Sequence, residues 1–330
     1  MLFARLLLVF FLLATLSEYV AAATLKQCKG KWRLNNITTG MSFGTFSIES
    51  PAAASTITLT GGGSRTSAGS IDLVSGSAIN SHQIEINNTK SFDCGLYGIT
   101  IDLPKHPDDK PMRGSGADIA ISNTQVVIAG EGLVTLPYTF YPSSVPLNME
   151  ITSTMTPTAG QISGAYASRN YQVTVEQDGK SRKKNGKSTA VAITPLALTA
   201  GVAMNFGQIA SGSTGGTLMM DASGARSAVS GDADVINDGA TGTAGTFFVV
   251  GDAGLTFSVT YADGVLRNNL DASTMIISSF TDTSAGLVLT GGSDSFSVGA
   301  TLTLNGLQSK GNYSTANPGG TPYSITVNYD

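Results

Sequence analysis

The chain has 330 residues, of which 13% are charged, and a formal net charge of −4 at pH 7. This charge balance, with no basic face, disfavours nucleic acid as a partner. Glycine occurs 39 times, Glu, Lys and Arg are scarce, and β-branched residues recur between Gly, Ser, Asn and Asp. Together these features predict an all-β protein.

The first residues have the pattern of a secretory signal peptide. Arg5 precedes an apolar run over residues 6–13, and alanines 21–23 supply a cleavage site. The run is too short to cross a bilayer, and no later stretch is long enough to do so. We therefore expect residues 1–23 to be a signal peptide and the mature chain to be exported without stable membrane insertion.

The only two cysteines are Cys28 and Cys94. In an exported chain a single pair is expected to form a disulfide. In the chain-entropy model, closing a loop of this length stabilises the fold by about 4 kcal/mol. Neither cysteine has the short spacing of a zinc site, so metal binding is the less favoured interpretation.

Residues 24–178 consist of short alternating apolar and polar segments separated by turn residues, which is typical of a two-sheet β-sandwich. One connecting segment, TLPYTFYPSSV, contains Tyr138, Phe140 and Tyr141. Aromatic side chains on an exposed loop would make this segment a candidate adhesive surface. The alternative is that the three aromatic residues pack as part of a strand.

Residues 179–189, GKSRKKNGKST, contain five of the nineteen Lys and Arg residues. This composition predicts a solvated basic linker. In the short apolar stretch that follows, Val191 and Ile193 alternate with smaller residues until Pro195 ends the pattern. Val191 and Ile193 therefore lie in a candidate strand, which either completes the first domain or begins the second.

Residues 190–330 repeat the strand pattern and end in YSITVNYD. In this segment Tyr323, Ile325, Val327 and Tyr329 alternate with polar residues. A period of two is that of a strand with one buried face. We therefore expect another strand to lie beside this one.

An internal comparison indicates a duplication. YQVTVEQD, which begins at Tyr171, matches YSITVNYD position by position at an offset of 152 residues. MSFG and MNFG, CGLYGIT and AGLTFSV, EGLV and AGLV, and ISGAY and SKGNY occur in the same order along both halves. Five pairs of similar segments in the same order predict two tandem copies of one domain, at residues 24–178 and 190–330.

These motifs resemble a known family. The order PLALTAGVAMNFG, VGATLTLNGLQSKGNY and YSITVNYD in the second copy is similar to that of small secreted bacterial pilin-like domains, catalogued mainly as a domain of unknown function. The first copy is similar more loosely, at MSFGTF, GQISGAY and YQVTV. The spacing from Cys28 to FG and the GAY…VTV ending also resemble the spore-coat-U-like subunits of archaic chaperone–usher pili.

The resemblance implies two immunoglobulin-like β-sandwiches of a kind that lacks one edge strand. A strand of a periplasmic chaperone would first fill the groove, and a strand of another pilus subunit would replace it at the usher. Tyr323, Ile325, Val327 and Tyr329 would then lie on the strand that pairs with the chaperone or subunit. The protein would pass through the periplasm to a fimbrium at the cell surface or to the medium.

The two copies end differently, which predicts a position in the fibre. Gln177 stands where the second copy has Tyr329, and the chain continues from it into residues that could complete the first domain. The segment before the first copy is short, polar and held at Cys28, so we do not expect it to donate a strand. A subunit that accepts a strand without donating one fits the fibre tip, with the first domain as a cap or as an adhesin for a host or surface receptor.

Two other functions stay open: a tandem structural pilin or coat subunit of the fibre shaft, and a self-contained secreted carbohydrate-binding sandwich. An enzyme is not expected, because His82 and His106 are the only histidines and neither lies in a catalytic motif. GGGSRTSAG lacks the lysine of a phosphate-binding loop, and the paired aspartates lack the spacing of an EF-hand. No cofactor or metal is therefore expected.

Overall fold

The structure of the protein is a computed structural model. It describes residues 31–48, 55–88, 98–141, 146–157, 163–236 and 242–330. The predicted signal peptide at residues 1–23 and the predicted disulfide between Cys28 and Cys94 lie outside these ranges. The chain divides into two compact units, Met1–Ile193 and Thr194–Asp330, called unit 1 and unit 2.

Both units are built from strands, which confirms the prediction of an all-β protein. The only helical segments among the described residues are two short 3-10 turns, Pro107–Asp109 and Thr290–Gly292. No helix in the described part of the chain is long and apolar enough to cross a membrane.

Unit 1 contains sixteen strands among its described residues. They are β1 (Trp32–Asn36), β2 (Gly40–Ile48), β3 (Thr56–Thr60), β4 (Ser64–Ala68), β5 (Ile71–Leu73), β6 (Ile79–Asn80), β7 (His82–Asn88), β8 (Ile99–Lys105), β9 (Met112–Arg113), β10 (Ala120–Ile128), β11 (Gly132–Val134), β12 (Tyr138–Phe140), β13 (Leu147–Thr156), β14 (Gly164–Ser168), β15 (Tyr171–Gln177) and β16 (Lys180–Ile193).

These strands form two sheets around one core. The first sheet has the order β1-β7-β13-β10-β11, with the β3–β4 hairpin beside β13. The second has the order β12-β8-β15-β16-β14-β9, and β2 pairs with β16, β5 and β6. Inward residues alternate with outward ones along the strands, so that Ile84 and Ile86 of one sheet and Val173 and Val175 of the other are all buried in the same cluster.

Residues 179–189 are not the linker predicted from their composition. They belong to β16, which follows β15 through a tight turn at Asp178 and Gly179, where φ is 48° and 72°. The first half of β16 pairs antiparallel with β15, and the second half lies between β14 and β2. The basic residues are compatible with a strand because their side chains reach water while the backbone stays paired. Unit 1 therefore extends to Ile193, beyond the predicted boundary at residue 178.

The buried face of β16 is the opposite of the one that the sequence suggests. Val191 is 39% exposed and Ile193 is half-buried, whereas Ala190 and Ala192 are buried. The large ring of Tyr166, itself buried, lies on the neighbouring strand opposite Ala190. Small side chains fit this face because bulky neighbours already fill the core. Val191 and Ile193 thus lie in the strand that completes unit 1, but they are not its core residues.

Unit 2 contains ten strands among its described residues. They are β17 (Ala197–Ala200), β18 (Ile209–Met220), β19 (Arg226–Val235), β20 (Gly245–Val250), β21 (Phe257–Ala262), β22 (Gly264–Asn268), β23 (Thr274–Asp282), β24 (Ser293–Leu304), β25 (Tyr313–Ser314) and β26 (Ser324–Tyr329).

The larger sheet of unit 2 has the order β17-β20-β24-β23-β22-β25, with the β18–β19 hairpin beside β24. The central order β20-β24-β23 corresponds to β7-β13-β10 of unit 1, and β18–β19 occupies the place of β3–β4. The second sheet of unit 2 consists of β21 and β26 alone among the described residues. Unit 2 therefore has a large sheet like that of unit 1 opposite a much smaller partner.

Candidate strand-binding site

The last strand of unit 2 has one half-buried face. β26 runs antiparallel to β21, and exposed and half-buried residues alternate along it. The half-buried residues pack at the margin of a core that contains Phe257 and Phe296. They are the four residues for which the sequence predicts strand pairing: Tyr323, Ile325, Val327 and Tyr329.

Tyr329 is fixed through its hydroxyl group. The oxygen accepts a hydrogen bond from the Asp252 amide at 2.8 Å and donates one to the Thr194 carbonyl at 2.7 Å. Gly251 makes this position possible, because a Cβ on Gly251 would lie 2.2 Å from the Tyr329 oxygen. Burial raises the pKa of Tyr329, so the hydroxyl stays protonated and able to donate at neutral pH.

Tyr323 lies at the other end of the half-buried face, in a row of aromatic rings. Its ring centroid is 5.5 Å from that of Phe280, which stacks on Tyr261 at 4.8 Å. The Tyr261 hydroxyl donates to the Asp282 carboxylate at 2.6 Å. Burial, followed by this hydrogen bond, raises the pKa of Tyr261, and burial raises the pKa of Tyr323. The row holds Tyr323 against the core of unit 2.

The backbone of β26 directs alternate amides away from β21. The Asp330 amide donates to the Thr256 carbonyl, and hydrogen-bonded pairs alternate with non-bonded pairs in an antiparallel ladder. By this alternation, the amides of Ile325, Val327 and Tyr329 point to the second edge of β26. Among the described residues no strand pairs with that edge.

The corresponding strand of unit 1 has both edges covered. β15 lies between β8 and β16 and hydrogen-bonds to each. Tyr171 and Val173 are 0% exposed and Val175 is 1% exposed, whereas their counterparts in YSITVNYD are half-buried. At this edge the two units differ, because β15 pairs with β16 whereas β26 has no such neighbour among the described residues. The sequence pattern identified both strands, but it did not identify β16, because charge dominates that segment.

Of the two interpretations of the aromatic segment of unit 1, the structure has strand packing rather than an exposed loop. Tyr138 and Phe140 lie in β12, which pairs with β8. Phe140 is buried in the core, and Tyr138 packs against the same cluster. Tyr141 alone of the three is largely exposed, at 67%. Strand packing therefore accounts for Tyr138 and Phe140, and the candidate adhesive surface is reduced to a single side chain.

The described residues contain no group of three or more His, Cys, Asp and Glu side chains that could hold a metal ion. The candidate site is the backbone and side-chain surface of β26, with hydrogen-bonding groups along its edge and apolar side chains beside it. Such an edge is a template for pairing with another strand.

Residues 196–329 match a family described as a domain of unknown function, DUF4402. The DUF4402 match lies within unit 2 and includes both β21 and β26. It does not extend to unit 1, so the tandem duplication stays a prediction, in agreement with the shared strand order of the two large sheets.

Two solved structures are similar to the chain. One is the CooA pilin subunit from enterotoxigenic Escherichia coli, at 11% identity over 49% of this chain and 98% of that chain, with a TM-score of 0.26. The other is the CsuC–CsuE chaperone–tip adhesion subunit pre-assembly complex from archaic chaperone–usher Csu pili of Acinetobacter baumannii, at 8% identity over 90% of this chain and 100% of that chain, with a TM-score of 0.29. No curated protein matches the sequence.

Proposed function

We propose that the protein is a pilus subunit whose second unit is completed by a strand of another protein. The observation that carries this proposal is the contrast between β15, which is covered by β16, and β26, whose corresponding edge has no partner strand among the described residues. The expected partners are a periplasmic chaperone, then another pilus subunit delivered by an usher. No chemical reaction is required of any residue.

An incoming strand would stabilise unit 2 in two ways. It would hydrogen-bond to the outward amides and carbonyls of β26, each bond contributing about 0.5–1.5 kcal/mol. It would also remove apolar surface of Ile325 and Val327 from water, which contributes about 25 cal/mol per Å². Unit 1 has already made the equivalent contacts with β16.

The proposal places the subunit at the tip of a fibre. Among the described residues the edge of β15 is covered by β16, whereas the corresponding edge of β26 is open, so unit 2 would offer the acceptor edge and the completed first domain would suit a cap or adhesin. The discriminating measurement is stoichiometry. A tip subunit occurs once per fibre, whereas a shaft subunit occurs many times.

A proline substitution tests the acceptor edge directly. Proline lacks an amide hydrogen but is tolerated at an edge position whose amide does not pair within the sheet. Val327→Pro should leave the pairing of β26 with β21 intact and block the second edge. Val327→Ala is the matched control, because it also removes the valine side chain but keeps the amide.

Each variant is produced in the bacterial periplasm together with the chaperone encoded beside the gene, and the chaperone recovered with the tagged subunit is measured. We expect Val327→Ala to retain the complex and Val327→Pro to reduce recovery about tenfold or more, since a hydrogen bond is lost and the proline ring obstructs approach. Equal recovery with both variants, or no chaperone gene beside this gene, would contradict the proposal.

A further inference from the structure

The chain itself contains an example of a strand that fits this kind of edge. β16 runs antiparallel to β15 with Gly186 opposite Tyr171, and its next two same-face residues are cationic: Lys184 opposite Val173, and Arg182 opposite Val175. From Gly186 onward its inward residues are small and buried. β16 therefore fills its groove with glycine and small residues, and carries positive charge along the rest of the edge.

Gly186 is required by the ring that it covers. A Cβ on Gly186 would lie 2.4 Å from Cζ of Tyr171 and 2.6 Å from Nδ1 of His82. Tyr171 cannot easily withdraw, because its hydroxyl lies at hydrogen-bond distance, 2.8 Å, from the same His82 nitrogen. Any side chain larger than hydrogen at this position would have to displace a buried ring.

Tyr323 occupies the place of Tyr171 in unit 2. The Tyr171 hydroxyl contacts His82, the first residue of β7. The Tyr323 hydroxyl lies near Gly245, the first residue of the corresponding strand β20, where its oxygen is 3.6 Å from the position that a Cβ on Gly245 would have. His82 and Gly245 also hold equivalent places, at one end of the pairing with β13 and with β24. A strand that covers Tyr323 meets the same flat ring that Gly186 meets in unit 1.

The charge of unit 2 complements a cationic strand. Its sequence contains ten Asp and no Glu against three Lys and Arg, a net charge of −7. β21 and β26 contain no Lys or Arg, and Asp252 and Asp330 lie at the Tyr329 end of the edge. An incoming strand that paired with β26 as β16 pairs with β15 would place its cationic residues at this end.

From this register and charge we infer that the strand accepted by unit 2 runs antiparallel to β26, places a glycine opposite Tyr323, and carries Lys or Arg opposite Ile325 and Val327. The partner is thus a polypeptide segment with the chemistry of residues 180–187 of this chain, rather than a strand of uniformly bulky apolar residues. The inference rests on the proposed function, because it specifies what the open edge accepts.

Synthetic peptides test this specificity on the full chain. The first peptide has the sequence of residues 180–193, and the others carry N185V, G186V, or K180V/R182V/K184V/G186V. N185V is the control for added bulk, because Asn185 is exposed on the outward face of β16. The readout is the slowing of amide hydrogen exchange in Ser324–Tyr329, which separates binding at β26 from exchange with β16 at Tyr171–Gln177.

We expect the unchanged peptide and N185V to protect Ser324–Tyr329 at the same concentration, and G186V to need about ten times more, in line with the cost of overpacking a filled site. Equal protection by G186V, or stronger protection by the peptide with four valines, overturns the inference and leaves the proposed function standing. If none of the four peptides slows exchange in Ser324–Tyr329, the open edge does not accept a strand and both proposals fail.

Discussion

His82 is a buried histidine with one unsatisfied nitrogen. Its Nδ1 lies 2.8 Å from the Tyr171 hydroxyl, and its Nε2 has no hydrogen-bond partner within the described part of the chain. Loss of hydration lowers the pKa of His82 from 6.5 to about 4. The imidazole is therefore neutral in folded unit 1 at pH values where the unfolded chain binds a proton.

This difference makes the stability of unit 1 depend on pH. A depressed histidine pKa leaves stability unaffected above about pH 6.5 and reduces it as the pH falls towards 4, by at most about 3 kcal/mol. We expect His82→Gln to remove this contribution to the acid dependence. Urea unfolding of both forms at pH 7 and at about pH 4.5 measures it.

His106→Gln is the control for removing a histidine, because His106 is partly exposed beside a 3-10 turn. It should retain the acid dependence of the parent protein. If His82→Gln and the parent lose the same free energy of unfolding between the two pH values, the buried neutral imidazole is not the cause.

β16 illustrates why the buried face of a strand does not always follow from the sequence pattern. In residues 188–193 the larger aliphatic side chains, Val191 and Ile193, stand at alternate positions, so a period of two assigns them to the core. The structure buries Ala190 and Ala192 instead. Which face is buried depends on the volume left by Tyr166 on a neighbouring strand, and local sequence carries no information on that volume.

The same element gives a packing prediction. Ala190→Leu adds three carbons to a filled face and should lower the free energy of unfolding of unit 1 by about 1–3 kcal/mol. Val191→Leu changes the outward face and should alter it by less than about 0.5 kcal/mol. Chemical denaturation of the two variants distinguishes the faces, and the reverse order of effects would show that the face suggested by the sequence is the buried one.

Other elements were predictable for a physical reason. β15 and β26 keep strict alternation over six or more residues, and in both the apolar face is the inward one. Tyr138 and Phe140 were ambiguous, because aromatic residues suit both strands and binding loops. The open edge of β26 was not predictable from local sequence, because it depends on the strand pairing of the whole sheet, in which no described strand lies on that side.

The core residues of unit 1 and those of unit 2 form separate clusters. The cluster of unit 1 contains residues such as Ile84 and Val173, and those of unit 2 contain residues such as Leu302 and Phe296. Each unit therefore has the buried surface needed for its own cooperative transition.

We expect calorimetry of the full chain to show two unfolding transitions. Leu302→Ala, at a residue 1% exposed in unit 2, should lower one of them, with a cost of about 2–5 kcal/mol. Ala190→Leu should lower the other. A single transition that moves with either substitution would contradict independent unfolding of the units.

Because β16 ends at Ile193 and unit 2 begins at Thr194, the strand that closes unit 1 is also the tether by which unit 2 is attached. Tension applied to unit 2 would enter unit 1 through β16. That segment is held by ladders on two sides, to β14 and to β2. Mechanical extraction of β16 would require both ladders to break, so this strand would resist load as part of a folded sheet.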